Sequence, residues 1–205
     1  VAAAVPTGLK STLTHGSAPT TAPLESERNE ATPQQAEVLK AIAGSLKDES
    51  AEAYHERGIM YLMMGEEESL TDAYRLATAD FSKAVALDPA MVGGYNNRAM
   101  VYSRLGEHEK ALQDFQSAIK IDPKNAALHM RHAGVLSKLG RDQEAVKVYA
   151  QAYALGDVDC LFNRGNAYMR LGKNDLARQD FETVIQKSQN PQIVEAAKMN
   201  LEATQ

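Results

Sequence analysis

An all-α array of about four helix-turn-helix units, flanked by one helix at each end, is the fold class this sequence predicts. Three observations predict it. Apolar residues recur at spacings of three and four, the period of one helix face. Glycine and proline stops punctuate those runs at regular distances. The same pattern of small and aromatic residues returns four times along the chain.

The clearest unit is Val92 to Pro123, VGGYNNRAMVYSRLGEHEKALQDFQSAIKIDP. Tyr95, Ala99 and Tyr102 share one face of a first helix. Gly106 ends that helix, since glycine adopts the left-handed closing conformation without steric cost. Ala111, Phe115 and Ala118 form the face of a second helix. Asp122-Pro123 stops it, because a proline pushes the residue before it out of the helical region.

Gly58, Ala99, Ala133 and Gly165 occupy one equivalent position, at spacings of 41, 34 and 32. Tyr61, Tyr102, Leu136 and Tyr168 follow by three, and Gly65, Gly106, Gly140 and Gly172 by seven. Ala77, Ala111, Ala145 and Ala177 pair with Phe81, Phe115, Tyr149 and Phe181 four residues later. The pattern resembles the tetratricopeptide repeat (TPR), a helix-turn-helix unit of about 34 residues. The resemblance covers Ala51 to about Gln189 and implies a right-handed superhelix of stacked helix pairs.

On this reading residues 1–32 are a Thr/Ser/Ala/Pro-rich arm without hydrophobic period, expected to be flexible. Thr32-Pro33 opens a helix within 33–49, whose stripe is Val38, Leu39, Ile42 and Leu46 and which covers the first repeat. The repeats span 51–91, 92–125, 126–157 and 158–190. The first carries seven extra residues between its glycine and Ala77. Seven residues are about two helical turns, so the insertion is expected to lengthen the second helix by that amount without rotating its buried face. Leu70, Ala73, Tyr74, Ala77, Phe81 and Ala84 keep one stripe through it, with Ser69 as cap and Glu66, Glu67 and Glu68 in an acidic turn. Gly156 ends the second helix of the third repeat, and Asp157 opens the next. Ile193, Val194, Ala197 and Leu201 make a capping helix within 191–205. Phe81 and Phe115 are expected beside the small residues of the following first helix, Ala99 and Ala133.

Composition narrows the function. The net charge of −5 supplies no basic field for nucleic acid or anionic lipid. No apolar run approaches the eighteen or so residues of a membrane helix. A soluble protein follows, cytoplasmic or, if a targeting segment was removed before Val1, periplasmic or organellar. Cys160 is the only cysteine and reads as a small packing residue. His129 and His132 lie three apart on a helix, a spacing compatible with metal. His129 falls at a large-residue core position, so a packed histidine is the reading and no metal or cofactor is expected. No phosphate loop, nucleophile elbow or catalytic carboxylate pair appears, so no enzyme is expected.

The resemblance implies that first helices line a concave surface. The groove-facing residues it marks include Asn96, Asn97, Met100 and Arg104, then Met130, Arg131 and Lys138, then Phe162, Asn163, Asn166 and Arg170. Asn97, Arg131 and Asn163 stack at the sixth position, where some family members hold peptides through asparagine amides. An amide both donates and accepts, so it matches a peptide backbone. Arg131 can hold a carboxylate by two parallel bonds. The chaperone-tail subclass, with its carboxylate clamp, fits poorly: Asn97 and Arg131 match, while His55, Ile59 and Ala127 do not. Arg57, Arg98 and Arg164 at the seventh position are expected to pack their stems across the helix. The expected function is a non-catalytic adaptor or assembly factor holding a peptide segment or helix of a partner protein. The alternative is a structural homo-oligomer joined through its ends or the long helix of the first repeat.

Overall fold

The computed structural model describes residues 31–46, 48–68 and 70–204. Ten α-helices and no strand occur among them: α1 Pro33–Ala43, α2 Ala51–Glu68, α3 Thr71–Leu87, α4 Val92–Arg104 and α5 His108–Ile121, followed by α6 Ala126–Lys138, α7 Asp142–Ala154, α8 Cys160–Arg170, α9 Asn174–Lys187 and α10 Pro191–Glu202. The arm expected at 1–32 lies, apart from its last two residues, outside the described residues, as does the expected cap Ser69.

Helices α2 to α9 form four antiparallel pairs, each stacked on the next. First helices of successive repeats also meet, α2 with α4 and α6 with α8, which puts them on the inside of the curve. Local chemistry accounts for the boundaries. Thr32 caps α1 through a reciprocal pair: the Gln35 backbone N–H donates to Thr32 Oγ1 at 3.3 Å, and the Thr32 backbone N–H donates to Gln35 Oε1 at 2.7 Å. The Asn190 side chain caps α10, accepting from the N–H groups of Gln192 at 3.1 Å and Ile193 at 3.4 Å. Gly106, Gly140 and Gly172 close the first helices of the later repeats at φ of 77°, 71° and 70°, and Gly156 follows α7 at 100°.

The core is a row of small residues facing aromatic rings. Ala77, Ala111, Ala145 and Ala177 are fully buried, and Phe81, Phe115, Tyr149 and Phe181 beside them are at most 2% exposed. Phe81 lies over Gly58 of its own repeat, and Phe181 over Gly165 of its own. The absent glycine Cβ admits the nearer ring.

The first repeat departs from expectation in three ways. Its extra residues are shared between both helices: α2 has 18 residues where α4 has 13, and α3 has 17 where α5 has 14. Gly65 is not the turn glycine but a buried residue inside α2, and Glu66, Glu67 and Glu68 continue the helix past it. The cause is Tyr74. A Cβ at residue 65 would stand 2.6 Å from its ring, so glycine lets the two long helices close on each other. The buried stripe of α3 survives as expected, from Leu70 to Ala84.

Helix α1 stops at Ala43, so Leu46 falls beyond it, and Val38 is 46% exposed rather than part of a buried stripe. Ile42 and Leu39 alone join the first repeat's core, beside Tyr61 and Leu62. Helix α10 covers the other end through Ala197, with Ile193 and Leu201 packed beside it. No described helix is long and apolar enough to cross a membrane.

Candidate functional site: the inner face of the first helices

The eleven groove residues lie on α4, α6 and α8, and none is buried. The opposite faces of those helices carry Ala99, Ala133 and Gly165 into the core, so the helix period holds the eleven toward the concave side.

Their polar atoms are joined from repeat to repeat. The Asn97 amide lies 3.1 Å from His55 Nε2, and its oxygen accepts from Asn96 Nδ2 at 3.0 Å. Arg104 pairs with Glu66 at 3.0 Å. Arg131 points a guanidinium N–H at the Met100 sulfur. Lys138 donates to Ser103 Oγ at 3.2 Å. Desolvation, and then the Arg104 charge, hold the Lys138 ammonium below its ordinary pKa. Arg170 grips Asp142 through two bonds of 2.9 and 2.7 Å and also reaches Ser137. Asn166 accepts from Asn200 of α10 at 2.7 Å, so the end helix continues the groove wall.

The structure therefore divides the expected asparagine ladder. Asn97 already uses both ends of its amide, and Arg131 is directed along the groove at Met100. Asn163 has no side-chain hydrogen bond among the described residues and lies beside Phe162, whose ring meets Phe181 at a centroid distance of 6.0 Å. Arg131 and Lys138 have no carboxylate partner among the described residues, whereas Arg104 and Arg170 do. The inner-face polar groups left open are thus concentrated on α6 and α8.

The seventh-position arginines do more than lay their stems across a helix. Arg57 takes Asp80 at 2.6 and 2.8 Å, Arg98 takes Asp114 at 2.7 Å twice, and Arg164 takes Asp180 at 2.8 and 2.6 Å. Each bidentate pair ties the first helix of a repeat to its second. The hydrogen bond to aspartate raises each arginine's pKa. The separations are 16 residues in the second and fourth repeats and 23 in the first, the difference being the insertion. Sequence reasoning missed these aspartates, although each follows its repeat's buried alanine by three.

The third repeat has His132 and Val148 at these two positions, and no clamp. His129 is buried as expected, with Nε2 donating to the Pro123 carbonyl at 3.0 Å. Cys160 is also buried, its Sγ 3.0 Å from the Asp157 carbonyl, and burial pushes its thiol up to about 12. It is a packing residue, not a nucleophile at neutral pH. Among the described residues, no three His, Cys, Asp or Glu side chains are grouped to hold a metal.

Comparison with known proteins bears on the fold. Residues 93–125 and 158–191 each match the tetratricopeptide repeat family. No curated protein matches the chain. Among solved structures it is similar to MamA, with 18% identity and a TM-score of 0.64 over 80% of this chain and 89% of that one. It is similar to YrrB, described as a TPR protein with an unusual peptide-binding site, with 24% identity and a TM-score of 0.61 over 80% of each chain. A further neighbour is TTC0263, a thermophilic TPR protein of Thermus thermophilus, at 21% identity and a TM-score of 0.61 over 80% of this chain and 85% of that one. With its stacked antiparallel helix pairs and these two matching segments, the chain carries tetratricopeptide repeats and shares the fold of proteins built from them.

Proposed function

We propose that this protein is a non-catalytic interaction module, an adaptor or assembly factor that holds a peptide segment or helix of a partner protein in its concave groove. One observation carries the reading: all eleven inner-face residues keep solvent access while the other faces of the same helices are packed. Concave solenoid surfaces of this kind carry binding. Met130 and Phe162 offer adaptable apolar contact, and the Asn163 amide offers a donor and an acceptor to a backbone. Arg131 and Lys138 favour a segment bearing carboxylates.

Selection of peptides on the full chain from a random display library tests this. Enriched peptides should carry acidic residues and should lose about tenfold or more in affinity for the triple variant Asn97→Ala, Arg131→Ala, Asn163→Ala. Unchanged affinity moves recognition off the groove, and failure to enrich any sequence removes the reading. Concentration-dependent mass measured on the same sample tests the homo-oligomer alternative.

A further inference from the structure

Three repeats fasten their two helices with an arginine and an aspartate, and the third does not. Where that clamp is missing, the structure has a cleft. It lies between α5 and α7, over the face of α6 that carries His132, on the second-helix side away from the groove. Two adjoining cavities of about 380 and 250 Å³ make it up, and Gln116, His132 and Val148 line both.

Its polar atoms are out of balance. Among the described residues, four buried side-chain atoms have no hydrogen-bond partner: Asn96 Oδ1, His108 Nδ1, His129 Nδ1 and His132 Nε2. The rings of the last two line the cleft, and His132 is only 9% exposed. His129 donates from Nε2 to a carbonyl, so in the neutral ring its Nδ1 is an acceptor. Buried groups left in this condition cost stability, and proteins normally satisfy them.

The surroundings describe what would satisfy them. Around the larger cavity stand two carboxylates, Glu109 and Glu144, and two cations, Arg141 and Lys147. Arg141 already holds Glu144 at 2.7 and 2.8 Å and reaches Glu109 at 3.5 Å. The rim of the larger cavity therefore presents no net charge to an incoming ion, and Lys120 adds a single cation at the smaller one. Leu112, Leu136 and Val148 give the cavity apolar walls. What remains is a demand for an uncharged hydrogen-bonding tip on an apolar body. A hydroxyl fits, because it can donate its one hydrogen to His129 Nδ1 and accept from an Nε2-protonated His132.

We propose that this cleft is a second binding site, separate from the groove, for an uncharged hydroxyl-bearing apolar group of the phenol class. The same chemistry is found in a free phenolic molecule and in the tyrosine side chain of a bound protein. The site pairs His132 and His129 with the hydroxyl and buries the ring against Leu112, Leu136 and Val148. It takes the space that an arginine–aspartate clamp fills in the other repeats, so the third repeat exchanges an internal fastening for a ligand.

The test is titration of the full-length protein with p-cresol, followed through the imidazole nitrogen signals in NMR. Toluene is the control without a hydroxyl. The decisive variant is His132→Arg with Val148→Asp, which installs the clamp that three other repeats of this chain already use and so preserves the fold. The expected result is a saturable shift of the His132 and His129 signals with p-cresol, binding about tenfold or more weaker for toluene, and no shift of the remaining His129 signals in the double variant. A capped Ala-Tyr-Ala peptide separates the sources. Peptide binding points to a partner's tyrosine, and its exclusion while p-cresol binds points to a free phenol. The absence of a saturable p-cresol shift, equal affinity for toluene, or binding retained by the double variant overturns the proposal.

Discussion

The third repeat and the other three solve one problem differently. A helix pair needs its two members held in register, and in the first, second and fourth repeats a buried bidentate ion pair does this beneath the surface. In the third repeat the fastening lies toward the next repeat instead. Asp142 at the start of α7 accepts from Ser137 of α6 and from Arg170 of α8. The third repeat is thus tied forward to the fourth, and its outer seam stays open. A repeat array can vary its internal fastenings because each unit contacts only its neighbours.

The sharpest way to break the comparison is at the clamp. Asp114→Ala leaves the Arg98 guanidinium, only 16% exposed, without its carboxylate, and breaking a buried pair costs about 3–5 kcal/mol. Val148→Ala at the equivalent position of the third repeat removes packing alone and should cost about 1 kcal/mol. Denaturant unfolding of the two variants measures the difference. Equal losses would mean that the clamps contribute no more than ordinary side chains.

Gly165→Ala comes next. A Cβ there stands 2.6 Å from the ring of Phe181, which is fully buried and has nowhere to move. Overpacking of this kind costs about 1–3 kcal/mol. The second and third repeats already hold alanine at that position, opposite Phe115 and Tyr149, so their rings leave the room. A fully stable Gly165→Ala protein would show that the ring of the fourth repeat adapts as freely as those two.

The forward tie has a pH signature. Arg170, and more weakly Ser137, hold the Asp142 carboxyl below its ordinary pKa. Its folded value is depressed, so its contribution is complete above the ordinary carboxylate value of about 3.9 and is lost as pH falls through the folded value. Arg170→Ala should therefore destabilise the protein at neutral pH and flatten the acid limb of the stability curve below about pH 4. An unchanged acid limb would remove Asp142 as its source.

Much of the fold was legible because the repeat writes each structural role four times. The small residue at Gly58, Ala99, Ala133 and Gly165 and the aromatic partner at Phe81, Phe115, Tyr149 and Phe181 define the core without any coordinates. Gly65 misled because a glycine seven residues after Gly58 marks the turn in every other repeat. Periodicity does not distinguish a glycine needed for its backbone from one needed for its missing Cβ, and only the ring of Tyr74 decides that. The groove positions were legible by register, but their mutual bonds were not. That Asn97 is spent on His55 and Asn96 while Asn163 stays open depends on distances between separate helices. The clamps lay between these cases. Arg98 with Asp114 and Arg164 with Asp180 recur at one spacing, and the insertion hid the same pair in Arg57 and Asp80.

The smallest effect is also the one most specific to the third repeat. Burial, followed by the charges of His129 and Arg141, lowers the pKa of His132, while Glu144 raises it by less. Between that lowered value and the ordinary imidazole value near 6.5, the unfolded chain binds more protons than the folded one. Stability is therefore complete above about pH 6.5 and falls as the solution is acidified. His108, lowered by burial and by Lys138, adds a loss in the same direction. His132→Phe should make the dependence of unfolding free energy on pH shallower between about 7 and 5, with the His108 share remaining. The other three repeats have arginine at this position and contribute no such slope, because arginine stays charged throughout the range. A slope unchanged by His132→Phe would mean that the ring gains a proton as easily in the folded protein as outside it, and the open seam would then be wet.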